Sequence, residues 1–95
     1  MSDHRFDYAR VRHADRVLVQ TLGGEAVLLD LKSEKYFGLN AVGTRVWQLI
    51  GETGDVGKIF ETLVAEYDAQ PEALANDLRT LLAELINAGL VQADA

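Results

Sequence analysis

Cysteine is absent from this 95-residue sequence, and proline and tryptophan occur once each. The lack of cysteine excludes disulfide bonds, thiolate metal sites and cysteine nucleophiles, and it is typical of proteins from a reducing compartment. No apolar run approaches the roughly 18 residues of a membrane-spanning helix. The N-terminal residues also lack the apolar core of a signal peptide. We therefore expect a cytoplasmic protein with no membrane partner.

Positive charge is scarce as well, since 9 Lys and Arg stand against 15 Asp and Glu, for a net charge of −6. Nucleic acids are bound by neutralising their phosphates, so this balance argues against a nucleic-acid partner. The N-terminal segment holds several arginines, but Asp3, Asp7 and Asp15 are interspersed among them. We interpret residues 1–15 as a mobile or loosely packed lead-in segment rather than a basic arm.

The remaining composition is that of one small globular domain. Hydrophobic residues make up 48% of the chain and charged residues 25%, values that exclude an intrinsically disordered protein. The length suits one domain and is too short for two. We expect this domain to span residues 16–91, followed by a tail at 92–95.

The first half of the domain predicts three short strands. Residues 17–22 alternate with a period of two, and Gly23-Gly24 then forms a hairpin signal because glycine reaches positive φ at little cost. Residues 25–31 (EAVLLDL) predict the second strand, and residues 35–39 (KYFGL) the third. The order predicts an antiparallel meander.

The second half predicts three helices. Asn40 and Asp55 suit the N-caps of the first two helices, and Pro71 suits the first turn of the third. Gly51 and Gly89 are candidate stops for the first and third helices. Strands followed by helices predict an α+β fold that is winged-helix-like, with the helices covering one face of the sheet.

No group of residues predicts catalysis. His4 and His13 lie in the lead-in segment without a carboxylate at helical spacing, so we expect both at the solvated surface. Ser33 lies in a turn without the context of a nucleophile elbow. The carboxylates are spread over the helices as polar faces, and the glycines do not form a phosphate-binding loop. We expect no enzyme, no metal site and no cofactor.

Three helices beside a small sheet also suit a winged-helix DNA-binding domain. The third helix would then enter the major groove, but it carries Glu72, Asp77 and Glu84 against the single base Arg79. Phosphate would repel such a helix. DNA binding therefore stays an alternative that the charge disfavours.

The third strand is an edge strand of the predicted meander. Natural proteins usually protect an edge with charge or proline, whereas only Lys35 is charged here. One interpretation is that an extended peptide adds a fourth strand, by β-augmentation, in a groove between the third strand and the third helix. The alternatives are that Tyr36, Phe37 and Leu39 only fill the core, or that the edge pairs with a second copy.

Residues 27–50, VLLDLKSEKYFGLNAVGTRVWQLI, resemble the signature of PqqD-like proteins. The shared features are the LLD strand, a Y-x-x-L-N motif and G-x-x-x-W in the first helix. The stretches IFETLVAEYD and LLAELINAGLV extend the resemblance to residues 16–91. It implies a RiPP recognition element, where RiPP denotes a ribosomally synthesised and post-translationally modified peptide. Such an element is a non-catalytic chaperone that binds the leader of a precursor peptide.

The resemblance also implies partners and a site. The partners are the leader peptide and a downstream modifying enzyme or leader peptidase, and the sequence is most similar to discrete proteins of lasso-peptide biosynthesis. Another RiPP pathway, or pyrroloquinoline quinone assembly, is the alternative. The leader would lie between the third strand and the third helix, with Arg79 or Glu84 at the rim. The candidate peptide-binding residues are Lys35, Tyr36, Phe37, Gly38, Leu39, Asp77, Leu78, Leu81, Leu82 and Leu85. For Leu78, Leu81 and Leu85, a place in the core is the alternative.

Overall fold

The computed structural model describes residues 6–94, and the predictions for His4 and the other terminal residues lie outside that range. The elements in chain order are β1 (Arg10–His13), β2 (Val17–Leu22), β3 (Glu25–Asp30), β4 (Lys35–Leu39), α1 (Ala41–Glu52), α2 (Val56–Glu66), α3 (Pro71–Asn87) and β5 (Val91–Asp94). Strands β2, β3 and β4 form the antiparallel meander, and the three helices follow it. The predicted α+β class is confirmed.

The two turns of the meander have different local chemistry. Gly23 and Gly24 have φ of 61° and 86°, as the predicted hairpin requires. At the second turn the Asp30 carboxylate accepts hydrogen bonds from the backbone N–H of Lys32 at 3.0 Å and the hydroxyl of Ser33 at 2.9 Å. These bonds lower the pKa of Asp30. The turn residues thus align β4 beside β3.

The helices begin where the sequence predicts. The Asn40 side chain accepts a hydrogen bond from the N–H of Gly43 at 2.8 Å, and Asp55 accepts one from the N–H of Lys58 at 3.1 Å. Each bond satisfies an N–H that the first helical turn leaves free. Pro71 is the first residue of α3. The Asn40 cap also ties the end of β4 directly to α1.

Of the two glycines predicted to stop a helix, only the one with positive φ does so. The predicted stop at Gly51 is wrong, because α1 continues to Glu52 and the chain turns at Gly54, whose φ is +70°. A Cβ at Gly54 would lie 2.6 Å from the carbonyl oxygen of Val11, so only glycine fits there. The predicted stop at Gly89 is confirmed, with φ of +77° just after α3.

The lead-in segment and the tail contain two strands that the sequence analysis did not predict. β1 pairs antiparallel with β5, so that Val11 lies opposite Ala93. Val11 is 2% exposed, and the Phe6 ring packs on Phe60 with centroids 5.5 Å apart. The N–H of Val11 also donates to the carbonyl of Gly54 at 2.9 Å. The described part of the lead-in segment therefore packs against the folded core through Phe6, Tyr8 and Val11.

The core lies between the meander and the helices. Its buried apolar side chains are Val11, Ala26, Leu28, Leu39, Val46, Trp47, Leu49, Ile50, Val56, Ile59, Phe60, Leu63, Leu74, Ala75, Leu78, Leu82, Leu85, Leu90 and Val91. On the opposite face of the sheet Leu18 and Tyr36 are exposed. Within residues 6–94 no helix has the length and apolar composition needed to cross a membrane. Across the same residues, no three acidic or histidine side chains gather closely enough to hold a metal ion.

Candidate functional site

The site begins at the free edge of β4. In the described chain β4 pairs with β3 alone, so its other edge has no strand beside it. Phe37 pairs with the buried Leu28 and therefore points inward, while Tyr36 points outward and is 74% exposed. The backbone groups of alternate β4 residues thus face outward along the edge without a ladder partner.

A cleft of about 540 Å³ runs beside this edge. It lies between β4 and α3. Helix α3 packs mainly on α2 and β5 rather than on β4, which leaves this space open. The first turns of α1 and the end of α2 close its base. The lining residues are Phe37, Gly38, Leu39, Asn40, Val42, Gly43, Val46, Leu63, Tyr67, Ala69, Leu74, Asp77, Leu78, Leu81 and Glu84.

The helical wall of the cleft is one stripe of α3. Asp77, Leu81 and Glu84 are spaced by four and three residues, so they share one face of the helix. Leu81 is partly buried, whereas Asp77 and Glu84 are exposed. Leu78, at 1% exposed, lies deeper and forms the floor. The wall is therefore apolar at its base and acidic at its rim.

Six of the ten predicted site residues line the cleft, and four do not. Leu82 and Leu85 are 1% and 0% exposed and lie in the core, outside the lining. Around the axis of α3, Leu82 lies about 100° from Leu81. Leu85 lies only about 40° from Leu81, but one turn further toward the C-terminal end of the helix. Lys35 and Tyr36 line a smaller cavity of about 260 Å³ near the C-terminal end of α3.

Several lining residues were missed by the sequence analysis. Val42 and Val46 come from α1, and Leu63 and Tyr67 come from α2 and its C-cap. Their spacing predicts only that α1 and α2 are amphipathic helices. No local sequence signal distinguishes an apolar residue that lines the cleft from one that lies in the core. Leu74 was identifiable, because it precedes Leu78 by four residues on the same face of α3.

A bidentate ion pair links α1 to α2, the two helices that contribute residues to the base of the cleft. Arg45 on α1 donates from Nε to Oε1 and from Nη2 to Oε2 of Glu66 on α2, each at 2.8 Å. The hydrogen bonds from Arg45 lower the pKa of Glu66. Glu66 precedes Tyr67, so the pair fixes the end of α2 where it meets the cleft.

His13 lies outside the cleft, and the prediction that it is solvated at the surface is wrong. Its ring stacks on Trp47 with centroids 3.8 Å apart and planes 9° apart. Its Nε2 is 2.8 Å from the carbonyl oxygen of Trp47, to which it donates. Burial lowers the pKa of His13, and the hydrogen bond to the carbonyl opposes this shift. The pairing of β1 with β5 positions the ring there, an arrangement that the local sequence does not encode.

Two solved structures are similar to this fold. The structure titled "TbiB1 in complex with the TbiA(beta) leader peptide" has a TM-score of 0.81 and 36% sequence identity, covering 88% of this chain and 98% of the other. The structure of lasso peptide synthetase B1 complexed with the leader peptide has a TM-score of 0.78 and 23% identity, covering 88% and 99%. The second likeness concerns the fold alone.

Sequence comparison points to the same group. No curated protein matches the chain. The family of coenzyme PQQ synthesis protein D (PqqD) matches residues 25–91, from the start of β3 to the first residue of β5. That match covers well over half of the chain and includes β4, the cleft and α3, which confirms the predicted resemblance. The chain belongs to the PqqD family.

Proposed function

We propose that this protein binds the leader of a ribosomally synthesised precursor peptide and presents it to a maturation enzyme. The leader adds as a strand to the free edge of β4, and its alternate side chains enter the cleft beside α3. The residues that contact it are Phe37, Gly38, Leu39, Asp77, Leu78 and Leu81. The protein supplies binding and orientation, while a separate enzyme supplies the chemistry.

The observation that carries this proposal is the combination of an unpaired strand edge and an apolar cleft. Within residues 6–94 the other edge strand of the sheet, β2, packs mainly on β3, and it is exposed along nearly its whole length. An added strand gains main-chain hydrogen bonds at either edge, and at β4 the cleft beside α3 also buries its side chains. The cleft volume of about 540 Å³ is within the roughly 300–1,000 Å³ of small-molecule sites, which accommodates side chains of a strand.

Similarity to TbiB1 supports a leader as the guest. The two chains share 36% identity over nearly the full length of TbiB1, which was solved with a leader peptide. We infer lasso-peptide maturation as the pathway, with a leader peptidase as the downstream partner. The sheet–helix site itself suits the leader of any RiPP pathway, including that of pyrroloquinoline quinone, so the identity of the precursor decides among them.

An NMR titration tests the proposal. A synthetic leader from the precursor peptide encoded beside the gene is added to ¹⁵N-labelled protein. We expect saturable shifts concentrated on β4 amides and on the cleft face of α3. Shifts confined to β2, or no binding at all, would contradict the proposal that the leader binds at β4. A scrambled leader of identical composition is the matched control.

A further inference from the structure

We infer that the peptide captured by this cleft carries lysine or arginine on the side that faces α3. The inference rests on the proposed function and adds a charge requirement to it. The side chains lining the cleft that carry charge at neutral pH are Asp77 and Glu84, both acidic, and no Lys, Arg or His is among the lining residues. Neither carboxylate has an ion-pair partner among residues 6–94.

The two carboxylates are arranged along the path of the guest strand. Lys35, at the start of β4, shares the smaller cavity with Asn87 at the end of α3, whereas Leu39 shares the main cleft with Leu74. β4 and α3 therefore run in opposite directions along the two sides of the cleft. Asp77 and Glu84 are seven positions apart in the helix, or about 10.5 Å along its axis.

The distance between the two carboxylates can be compared with the spacing of side chains along the guest strand. Side chains on one face of a strand recur about every 6.7 Å, so residues two or four positions apart are about 6.7 or 13.4 Å apart. The acids are about 10.5 Å apart, and long flexible side chains make up the difference in either case. Lysine and arginine suit these positions because their stems pack on Leu81 while their charged ends reach the rim. An acidic guest residue at either place would face an unpaired carboxylate and be disfavoured.

The charge of the rest of the molecule is consistent with this selection. The net charge of −6 attracts a basic peptide at long range, while Asp77 and Glu84 determine where its charges lie. Lys35 lies at one end of β4, outside the main cleft, so the requirement for basic residues applies to the stretch of the guest beside α3 rather than to the whole guest.

Selection from a display library of random dodecapeptides tests the inference independently of the sequence of the leader. The bait is the full chain, compared with an Asp77→Asn/Glu84→Gln variant. Glu61→Gln/Glu72→Gln is the matched control, because it removes the same charge from exposed helix positions outside the lining. We expect peptides selected by the wild type and the control to be enriched in Lys and Arg at alternate positions. The cleft variant should lose that enrichment.

Direct titration of one selected peptide gives the size of the effect. We expect the cleft variant to raise Kd roughly two- to tenfold at low salt, with a smaller change at high salt, because both pairs are at the rim. Selected peptides that bind at β4 without basic enrichment would overturn the inference alone. Enrichment that survives in the cleft variant would do the same. Failure to select any peptide would instead count against the proposed function.

Discussion

Leu81 and Leu82 are neighbours in α3 with different surroundings, and exchanging each for alanine separates binding from stability. Leu81 lines the cleft and is only partly buried. Leu82 is 1% exposed and lies in the core. We expect Leu81→Ala to weaken leader binding and to lose less stability than Leu82→Ala, and we expect Leu82→Ala to lose mainly stability.

The magnitudes follow from burial. Replacing a fully buried leucine with alanine costs ~2–5 kcal/mol, so Leu82→Ala removes a large share of the ~5–15 kcal/mol that stabilises a typical domain. Leu81 leaves part of its side chain for a guest to cover, and losing that contact costs ~1 kcal/mol of binding. Such a loss raises Kd about fivefold. The stability of Leu81→Ala should fall by a similar ~1 kcal/mol.

The assay combines urea denaturation with calorimetric titration of the leader, at a temperature where circular dichroism shows each variant folded. Leu82→Val is a milder core variant if the alanine variant unfolds. Equal losses of leader affinity in folded Leu81 and Leu82 variants would refute the assignment of Leu82 to the core and Leu81 to the wall. An unchanged affinity in Leu81→Ala would refute the position of the guest beside α3.

Two further predictions concern the fold. The pKa of His13 is lowered from 6.5 in the folded state, so the unfolded chain binds the proton more readily and stability should fall as pH drops below about 6.5. His13→Gln keeps a donor for the Trp47 carbonyl, so urea denaturation from neutral to acidic pH should show a smaller decline in this variant; an equal decline would exclude His13 as the source. Gly54→Ala combines a left-handed φ with a contact of 2.6 Å to Val11, whereas the Cβ of Gly89→Ala meets open space, so the thermal midpoint should fall further for Gly54→Ala. Similar losses would mean that the contact with Val11 relaxes easily.

Local signals predicted the parts of the fold that depend on neighbouring residues. The Asn40 and Asp55 caps, the Gly23-Gly24 turn and the start of α3 at Pro71 were all correct, because each depends on a few adjacent side chains. Gly51 was wrong because glycine also occurs inside helices, and its φ is not readable from the sequence.

Long-range pairing was the part that sequence reasoning could not supply. β1 and β5 are four residues each, and their pairing joins the two ends of the described chain. A segment as short as residues 10–13 (RVRH), with one apolar residue among basic ones, has no periodic pattern strong enough to predict the pairing. The contact of His13 with Trp47 depends on that pairing and was missed for the same reason.

The cleft was predicted in outline but not in detail, and the reason is geometric. Alternation along β4 and the amphipathic pattern of α3 identify which residues are apolar. They do not show which flank of α3 turns toward β4. The sequence therefore predicted both Leu81 and Leu82 as peptide-binding residues, although Leu81 lines the cleft and Leu82 lies in the core.

The free edge of β4 is also available to a second copy of this chain. Antiparallel pairing of two β4 strands around a two-fold axis perpendicular to the sheet would place both α3 helices on the same face. Asp77 and Glu84 of one copy would then face the same acids of the other, and like charges oppose such a contact. We expect Asp77→Asn/Glu84→Gln to raise the self-association constant roughly two- to tenfold, as measured by sedimentation equilibrium at low salt.

Glu61→Gln/Glu72→Gln is again the control, since it removes the same two negative charges without altering the cleft. Leader peptide should dissociate any dimer of the cleft variant, because guest and second copy occupy the same strand edge. Dimers that persist at saturating leader would show that association uses another surface, such as the exposed face around Leu18 and Tyr36. Equal association of the cleft variant and the control would mean that these carboxylates do not protect the edge, since only their position separates the two variants.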